Sequence, residues 1–518
     1  MDKGDGGEQS GLSQDAHGPE MQSLPEGCLA CQPDVDPATP EASGLLSLPW
    51  EMVTHIASHL PAHCVISVLP KVCSALRNVG KDNTAWQLRA RRLIGSKAKF
   101  PVGPREDFDW PSACLEMEQL ITCWTGMAQD DLRHHQAVEE EDQGDQGPAE
   151  MEPGRDAQGV DERLVGELVG ELEQRLGDNP EEDALFEGHD GALDHQQAHP
   201  GNGEHVEIIQ HQPPRSSSPP PALEHLTLLS GHIAQVTSVL LLGGDGTLCA
   251  TGSRDYNVNL WKLHADSSSV LLHTLLGSCN FSTHQGWVWC LASQGPLLAS
   301  GGFDSTVRLW DLQASGAEKG LIKAGGAVMC LTCLPDVLLA GTFDKTVSVY
   351  DPRAAFTCLK SLRLHTNVVM CLAADDKYII SAAKDCTVVV YDRRADKTLN
   401  KVRLNGYLRS MSYSDSEVWG GDHRGALHSF TMRDGILNSR AYFNVGHTAM
   451  INGIHKSPGS LYTCSSDCTV KVHIPCRPPK TLCTLRHQAG VSGLSVVDGT
   501  LAVTSGETDV EIWRPRKS

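Results

Sequence analysis

Three textures of apolar and polar positions follow one another along the chain. From Leu45 apolar residues recur at helical spacing: Met52, Val53, Ile56 and Leu60 stand between Leu48-Pro49 and Pro61. Val72, Cys73, Leu76 and Val79 then follow Pro70, which sits where the first turn of a helix tolerates proline. A third stretch, from Asn83 to Ile94, carries Trp86, Leu88 and Leu93. The spacing predicts three short helices within 45–95, too small a group to bury much core alone. Residues 96–135 read as partly helical, with Leu115, Leu120, Ile121 and Trp124 as the apolar face. From Leu223 onward short β-branched runs alternate with Gly, Asp and Ser clusters, which predicts strands and tight turns.

The strand-rich part repeats. An aspartate, a turn and an apolar strand ending in an aromatic run from Asp255 to Trp261, Asp304 to Trp310, Asp344 to Tyr350 and Asp385 to Tyr391. Weaker copies end at Phe430 and His473, and a last one at Trp513, so the seven ends are 49, 40, 41, 39, 43 and 40 residues apart. Seven units of four short strands match the period of a WD40 β-propeller, making the chain mainly β. A strand near Leu226–Leu229 is expected to join the last blade and close the ring.

Four units carry an upstream histidine and a hydroxyl four residues before the aspartate. These are His232, Thr251 and Asp255; His284, Ser300 and Asp304; His365, Ser381 and Asp385; His447, Thr463 and Asp467. With Trp261, Trp310 and Tyr391 they resemble the structural hydrogen-bond network of WD40 blades. A catalytic triad occurs once, on a strained turn beside an oxyanion hole. A set recurring blade after blade is instead what paired buried polar groups look like, so no catalytic residue is assigned. Blade five has Arg424 where the aspartate is expected, after Gly420-Gly421. Blade three lacks the histidine and has Ala340 in place of the hydroxyl, and blade seven has Glu507.

The net charge of −21 is unevenly spread. Residues 130–222 carry −19 and residues 1–44 carry −8, leaving the remainder at +6. The folded parts are thus only mildly basic, which does not recommend a nucleic-acid binder. Residues 1–44 and 136–222 read as disordered acidic segments, with one periodic piece at Leu164, Leu168, Leu172 and Leu176. The expected domains are therefore 1–44, 45–95, a helical linker at 96–135, the acidic linker at 136–222, and the propeller at 223–518. No run is long and apolar enough for a membrane span, and the start has no signal-peptide character. The eighteen cysteines are scattered, and the pairs Cys28–Cys31 and Cys330–Cys333 lack the partners a zinc site needs. Neither metal nor cofactor is expected, and the compartment is cytoplasmic or nuclear.

Leu48-Pro49 with Glu51, Ile56, Leu60, Val72-Cys73 and Trp86 resembles an F-box, although Val65-Ile66 stands where many F-boxes have an acidic residue and a leucine. Followed by a propeller, it resembles the F-box/WD-repeat family. That resemblance implies a non-catalytic receptor that docks a Skp-type adaptor, and through it a cullin–RING ubiquitin ligase, while the propeller holds a protein substrate. Leu48, Pro49, Ile56 and Leu60 would face the adaptor. A propeller scaffold acting outside any ligase is the alternative. In the family the substrate lies on the propeller's top face, often as a phosphodegron held by arginines. Two rings of positions line that face: Thr237, Trp289, Met329, Met370, Arg409, Asn452 and Ser492; and Arg254, Phe303, Phe343, Lys384 and Ser466. Only Arg254 and Arg409 fall on arginine-bearing family positions, so an apolar pocket of Trp289, Phe303, Met329, Phe343 and Met370 beside Arg254 and Lys384 is expected instead.

Overall fold

The computed structural model describes residues 47–103, 108–125 and 222–516, apart from 229–230, 245, 265–267, 277–281, 354–356 and 415. The expected disordered segment 1–44, the acidic linker up to residue 221, the periodic leucines within it, and Cys28–Cys31 lie outside the described residues. The chain divides into two units at Val53/Thr54. In the first, the Pro49 carbonyl accepts the Met52 and Val53 N–H groups at 2.9 and 3.2 Å, and Leu48, Trp50 and Met52 are exposed.

Helix α1 spans Trp50–Ala57. A π-helical turn (Cys64–Val68) and helices α2 (Leu69–Val72), α3 (Ser74–Val79) and α4 (Asn83–Ile94) follow. The expected second helix is broken at Cys73, whose extended backbone ends α2 and whose Sγ accepts the Leu76 N–H at 3.4 Å. Asp82 caps α4 by accepting the Thr84 N–H at 2.8 Å. Residues 110–125 form α5. Its buried face is Trp110, Ala113, Cys114, Met117, Leu120 and Trp124, so the expected face is corrected: Leu115 and Ile121 are only half-buried. The buried Arg89 ties α5 to the earlier helices by pairing with Glu118 at 2.6 Å and donating to the Ala57 carbonyl at 2.8 Å. Glu118 also accepts the Ala62 N–H at 2.6 Å. A buried guanidinium is tolerated only when so paired.

Residues 223–516 build seven four-stranded antiparallel sheets. Blade one is Val236–Leu242, Leu248–Ser253, Val258–Leu263 and Ser269–Thr274. Blades two to five begin at Val288–Gln294, Val328–Cys333, Val369–Ala374 and Leu408–Ser414. Blade six is Ile451–Lys456, Leu461–Ser465, Thr469–Ile474 and Lys480–Arg486. Blade seven takes its outer strand from the start of the domain: Leu223–Leu228 pairs with Val510–Pro515, with His225 opposite Trp513. This is the expected closure: the first strand of the domain completes the last sheet and joins the two ends of the ring.

Each complete blade is fastened by one aspartate. In blade two the His284 ring meets Asp304 through Nδ1 at 3.0 Å and Ser300 through Nε2 at 2.8 Å, and the Trp310 indole donates to Ser300 at 3.0 Å. Blade one repeats this with His232, Asp255, Thr251 and Trp261 at 2.8, 2.8 and 3.0 Å. In blade six His447 meets Asp467 and Thr463 at 2.9 Å each, and His473 takes the indole's place at 3.1 Å from Thr463. In blade four His365 reaches Ser381 at 2.7 Å and Asp385 at 3.4 Å. Tyr391 does not belong to that network: its hydroxyl donates to Asp396 and accepts from Lys360 instead. Blade five also corrects the sequence reading. Arg424 holds the usual position, but Asp422 supplies the carboxylate, accepting the Arg424 and Ala426 N–H groups at 2.9 Å and meeting His428 Nε2 at 2.9 Å.

Burial alone would raise the Asp304 carboxyl, but its bonds to His284, Thr306 and the Gln285 N–H outweigh that and bring it from 3.8 down to about 2. A folded value below the unfolded one means that the ionised form favours folding. The contribution is therefore complete at neutral pH and lost as pH falls from about 4 to about 2. Asp304→Asn should cost about 1–3 kcal/mol at pH 7. In denaturant titrations its deficit against wild type should narrow across that acid window.

Candidate functional site

The same carboxylates shape one face of the ring. Each caps the turn after the second strand: Asn257, Thr306, Thr387 and Thr469 donate their N–H groups to Asp255, Asp304, Asp385 and Asp467 at 2.9–3.0 Å. The residue just after each aspartate takes a left-handed conformation, as at Tyr256 (φ 71°) and Ser305 (φ 59°). The other carboxylate oxygen accepts the N–H following the histidine, from Ile233, Gln285, Thr366 and Thr448 at 2.8–3.1 Å. Turn and inter-blade loop are thereby clamped together. Beside each clamp, the residue preceding the aspartate position donates its N–H to the carbonyl just before the inner strand. The pairs are Arg254 to Gln235, Phe303 to Trp287, Phe343 to Ala327, Lys384 to Val368, His423 to Tyr407 and Ser466 to Met450, at 2.8–3.2 Å.

Three rings of side chains consequently surround the central opening on this top face. Trp289, Phe303, Met329, Phe343, Met370, Arg254, Lys384 and Arg409, all singled out in the sequence, line a single cavity there, and Thr237, Asn452 and Ser492 line it too. Ser466 is not among the lining residues but hydrogen-bonds Asn452, which is. Met329, Val368 and Met370 are buried at its floor, with half-buried Trp289, Phe303, Phe343 and Tyr407 packed against them. Phe303 lies 5.7 Å from Trp289 and 5.8 Å from Trp287, ring centre to ring centre. The Arg254 guanidinium sits 4.7 Å over Trp287, and Arg409 of blade five reaches across the opening to 5.6 Å from Trp289 of blade two. Sequence reasoning missed Gln235, Trp287, Val368, Tyr407 and Met450. All five precede the first aliphatic of an inner strand, so a third ring at that offset was present in the repeat.

The opposite face carries the helices. Strands are antiparallel, so the turns between first and second strands lie on the side away from the aspartate clamps. There Glu116 of α5 accepts the Ser457 hydroxyl and the Gly459 N–H at 2.6 and 2.7 Å, both from such a turn of blade six. Trp124 packs edge-on against Tyr462 at 6.2 Å, and both are buried. Lys99 and Arg477 exchange two main-chain bonds at 3.0 and 2.9 Å, Lys480 donates to the Leu93 carbonyl at 3.0 Å, and the Gly103 N–H donates to Glu417. The helices of the second unit are therefore bolted to the propeller face opposite the cavity. On them Ile56, Leu60, Ile66, Val68 and Val72 are exposed; Leu48 and Pro49 of the first unit are exposed as well.

Among the described residues no group of three or more His, Cys, Asp or Glu is arranged to hold a metal ion. Burial pushes the Cys249, Cys371 and Cys464 thiols up to about 12, which keeps them protonated. No described helix is long and apolar enough to cross a membrane.

Fold and faces together define a WD-repeat propeller carrying a small helical domain. The family model for the WD domain, G-beta repeat, matches residues 223–262, 274–311, 356–392 and 440–473. F-box/WD repeat-containing protein 9 of Bos taurus is 39% identical over 474 residues, covering 91% of this chain and 82% of that protein. Its Homo sapiens counterpart is 38% identical over the same coverage. The chain belongs to the F-box/WD-repeat family. The WD40 β-propeller domain of Doa1 aligns over 56% of this chain and 97% of that domain, at 20% identity and a TM-score of 0.47.

Trp124→Ala removes a buried aromatic and should cost about 3–5 kcal/mol of local stability. Hydrogen exchange should rise in α5 and at residues 457–460, while the top-face loops keep their protection.

Proposed function

We propose that this chain is the substrate-recognition subunit of a Skp–cullin–F-box ubiquitin ligase. One observation carries the reading: a small helical domain, fixed to the propeller, leaves Ile56, Leu60, Ile66, Val68 and Val72 in water. Apolar side chains gathered on so small a domain mark a partner surface. The F-box motif supplies the partner, a Skp-type adaptor, and adds Leu48 and Pro49 to the residues it touches. The top cavity, on the far face, takes the substrate through Trp289, Phe303, Met329, Phe343 and Met370 with Arg254, Lys384 and Arg409 at its edge. The chain itself contributes proximity and orientation, and its partners carry out ubiquitin transfer. Such a role places it inside the cell, in cytoplasm or nucleus.

Pull-down of the wild-type chain should recover both adaptor and cullin, and the Leu48→Ala/Ile56→Ala variant neither. Recovery of neither by wild type would leave only the scaffold reading. Trp289→Ala/Phe343→Ala should keep the adaptor and the fold while losing captured substrate. Unchanged substrate capture would remove the top cavity from the account.

A further inference from the structure

The outer strand of a propeller blade is a sheet edge that meets water, and in six blades that strand carries charge. Lys319, Lys360, Lys397, Arg440 and Lys480 stand on the outer strands of blades two to six, and Glu224 on that of blade seven. Charged side chains keep an unpaired edge from joining another strand. The outer strand of blade one, Ser269–Thr274, has no Lys, Arg, Asp or Glu. Among the described strands it pairs only with Val258–Leu263, so its other side is an open edge. Val270, Leu271 and Leu272 on it are 48, 40 and 38% exposed, and Leu276 just beyond is exposed too. No other outer strand has more than two exposed large apolar residues among those described. The edge is also held in place. Leu275 is buried with Leu298 and Trp310 of blade two, and it lies so near Gly316 of that blade that a Cβ there would collide with it.

We propose that this edge pairs with the same edge of a second copy of the chain, antiparallel about a twofold axis centred on Leu271. That register sets Leu271 opposite its own copy and Val270 opposite Leu272, so apolar side chains meet across the junction. Charge favours a second copy over a different partner. Paired with themselves over their full lengths, Cys358–Leu362 would set Lys360 against Lys360, and Lys397–Arg403 and Lys480–Arg486 would each set a lysine against an arginine. Like charges directly opposite are destabilising. Ser269–Thr274 escapes that repulsion, and without charge of its own it has nothing with which to select a charged strand. Outer strands lie on the circumference of the ring, so the pairing leaves the top cavity open. A junction of one short strand per copy is small for a stable interface, which makes the dimer reversible at about micromolar concentrations.

Sedimentation of the full chain between about 0.5 and about 50 µM, a range set by that affinity, tests the pairing. The mass should rise from one chain toward two and no further, because a twofold junction closes on itself. Amide exchange in residues 269–274 should slow over the same range. Leu271→Lys should weaken dimerisation by at least about tenfold, with its melting temperature unchanged because the side chain it replaces is already exposed. Leu359→Lys, on the outer strand of blade three, should dimerise as wild type does. A single-chain mass at every concentration would overturn the proposal, as would a dimer that survives Leu271→Lys or growth beyond two chains. A monomer whose 269–274 amides are protected at every concentration would overturn it as well, since another part of the chain would then cover the strand.

Discussion

One buried carboxylate in each of blades one, two, four and six governs how the propeller's upper face is arranged. Asp304 shows the case in full: one oxygen accepts the turn N–H of Thr306, the other the loop N–H of Gln285, and both approach His284. A carboxylate can do this because it has acceptor sites to spare and, once its bonds are made, little residual cost of burial. Because the turn belongs to one blade's second and third strands and the loop to the approach from the blade before, each such aspartate ties neighbouring sheets as well as closing its own. The ring positions follow. With turn and loop clamped, the residue ahead of the aspartate must lie beside the residue ahead of the inner strand, and their side chains share the central opening.

The blades that lack the full set show what the clamp needs. In blade three Ala324 stands at the histidine position, and Thr346 donates to Asp344 at 2.7 Å, with Thr342 doing the same. The carboxylate leans toward Gly325, where a Cβ would collide with it. In blade five the polar pair moves to Asp422 and His428, while Leu404, Gly420 and Phe430 fill the space of the usual histidine, hydroxyl and indole. The turn keeps its shape because Gly425 takes the left-handed position (φ 85°). His423, at the ring position that Arg254 and Phe303 hold in blades one and two, stacks on Tyr407 at 4.4 Å. The same blade supplies Arg409, which reaches across the opening to Trp289.

What could be read from the sequence was whatever the period repeated. The histidines, aspartates and closing aromatics stand at nearly constant offsets because each pays the same structural need, and the two predicted rings fall on one cavity for the same reason. Single departures were harder. Arg424 looked like a lost aspartate, since the sequence shows a position and not that a carboxylate two residues earlier reaches the same turn. Tyr391 matched the pattern of Trp310, yet a phenol extends past the serine that an indole N–H meets, and its hydroxyl finds Asp396 instead. The face of α5 was misjudged because a helix packed on both α4 and the propeller buries a stripe set by two partners, of which Met117 and Cys114 are part. Cys73 as a cap was hidden by an apolar periodicity that continues straight through the break.

The docking of α5 decides how the two faces are spaced. The helical domain and the closing strand of blade seven, which begins at Leu223, are separated in the sequence by residues 126–222, and that separation by itself sets no distance between them. The distance is fixed instead by contacts that bypass it: the Lys99–Arg477 ladder, Glu116 on the blade-six turn, and Trp124 against Tyr462. These mix main-chain bonds, a charged acceptor and an aromatic pair, so the helices are held in orientation as well as in place. A partner bound to the helices would therefore stand in a set relation to anything held in the top cavity, without either site adjusting to the other. On the proposed receptor role, in which the chain contributes geometry, that fixed relation is the property that matters, because effective concentration falls off quickly when two binding events are joined only by flexible chain.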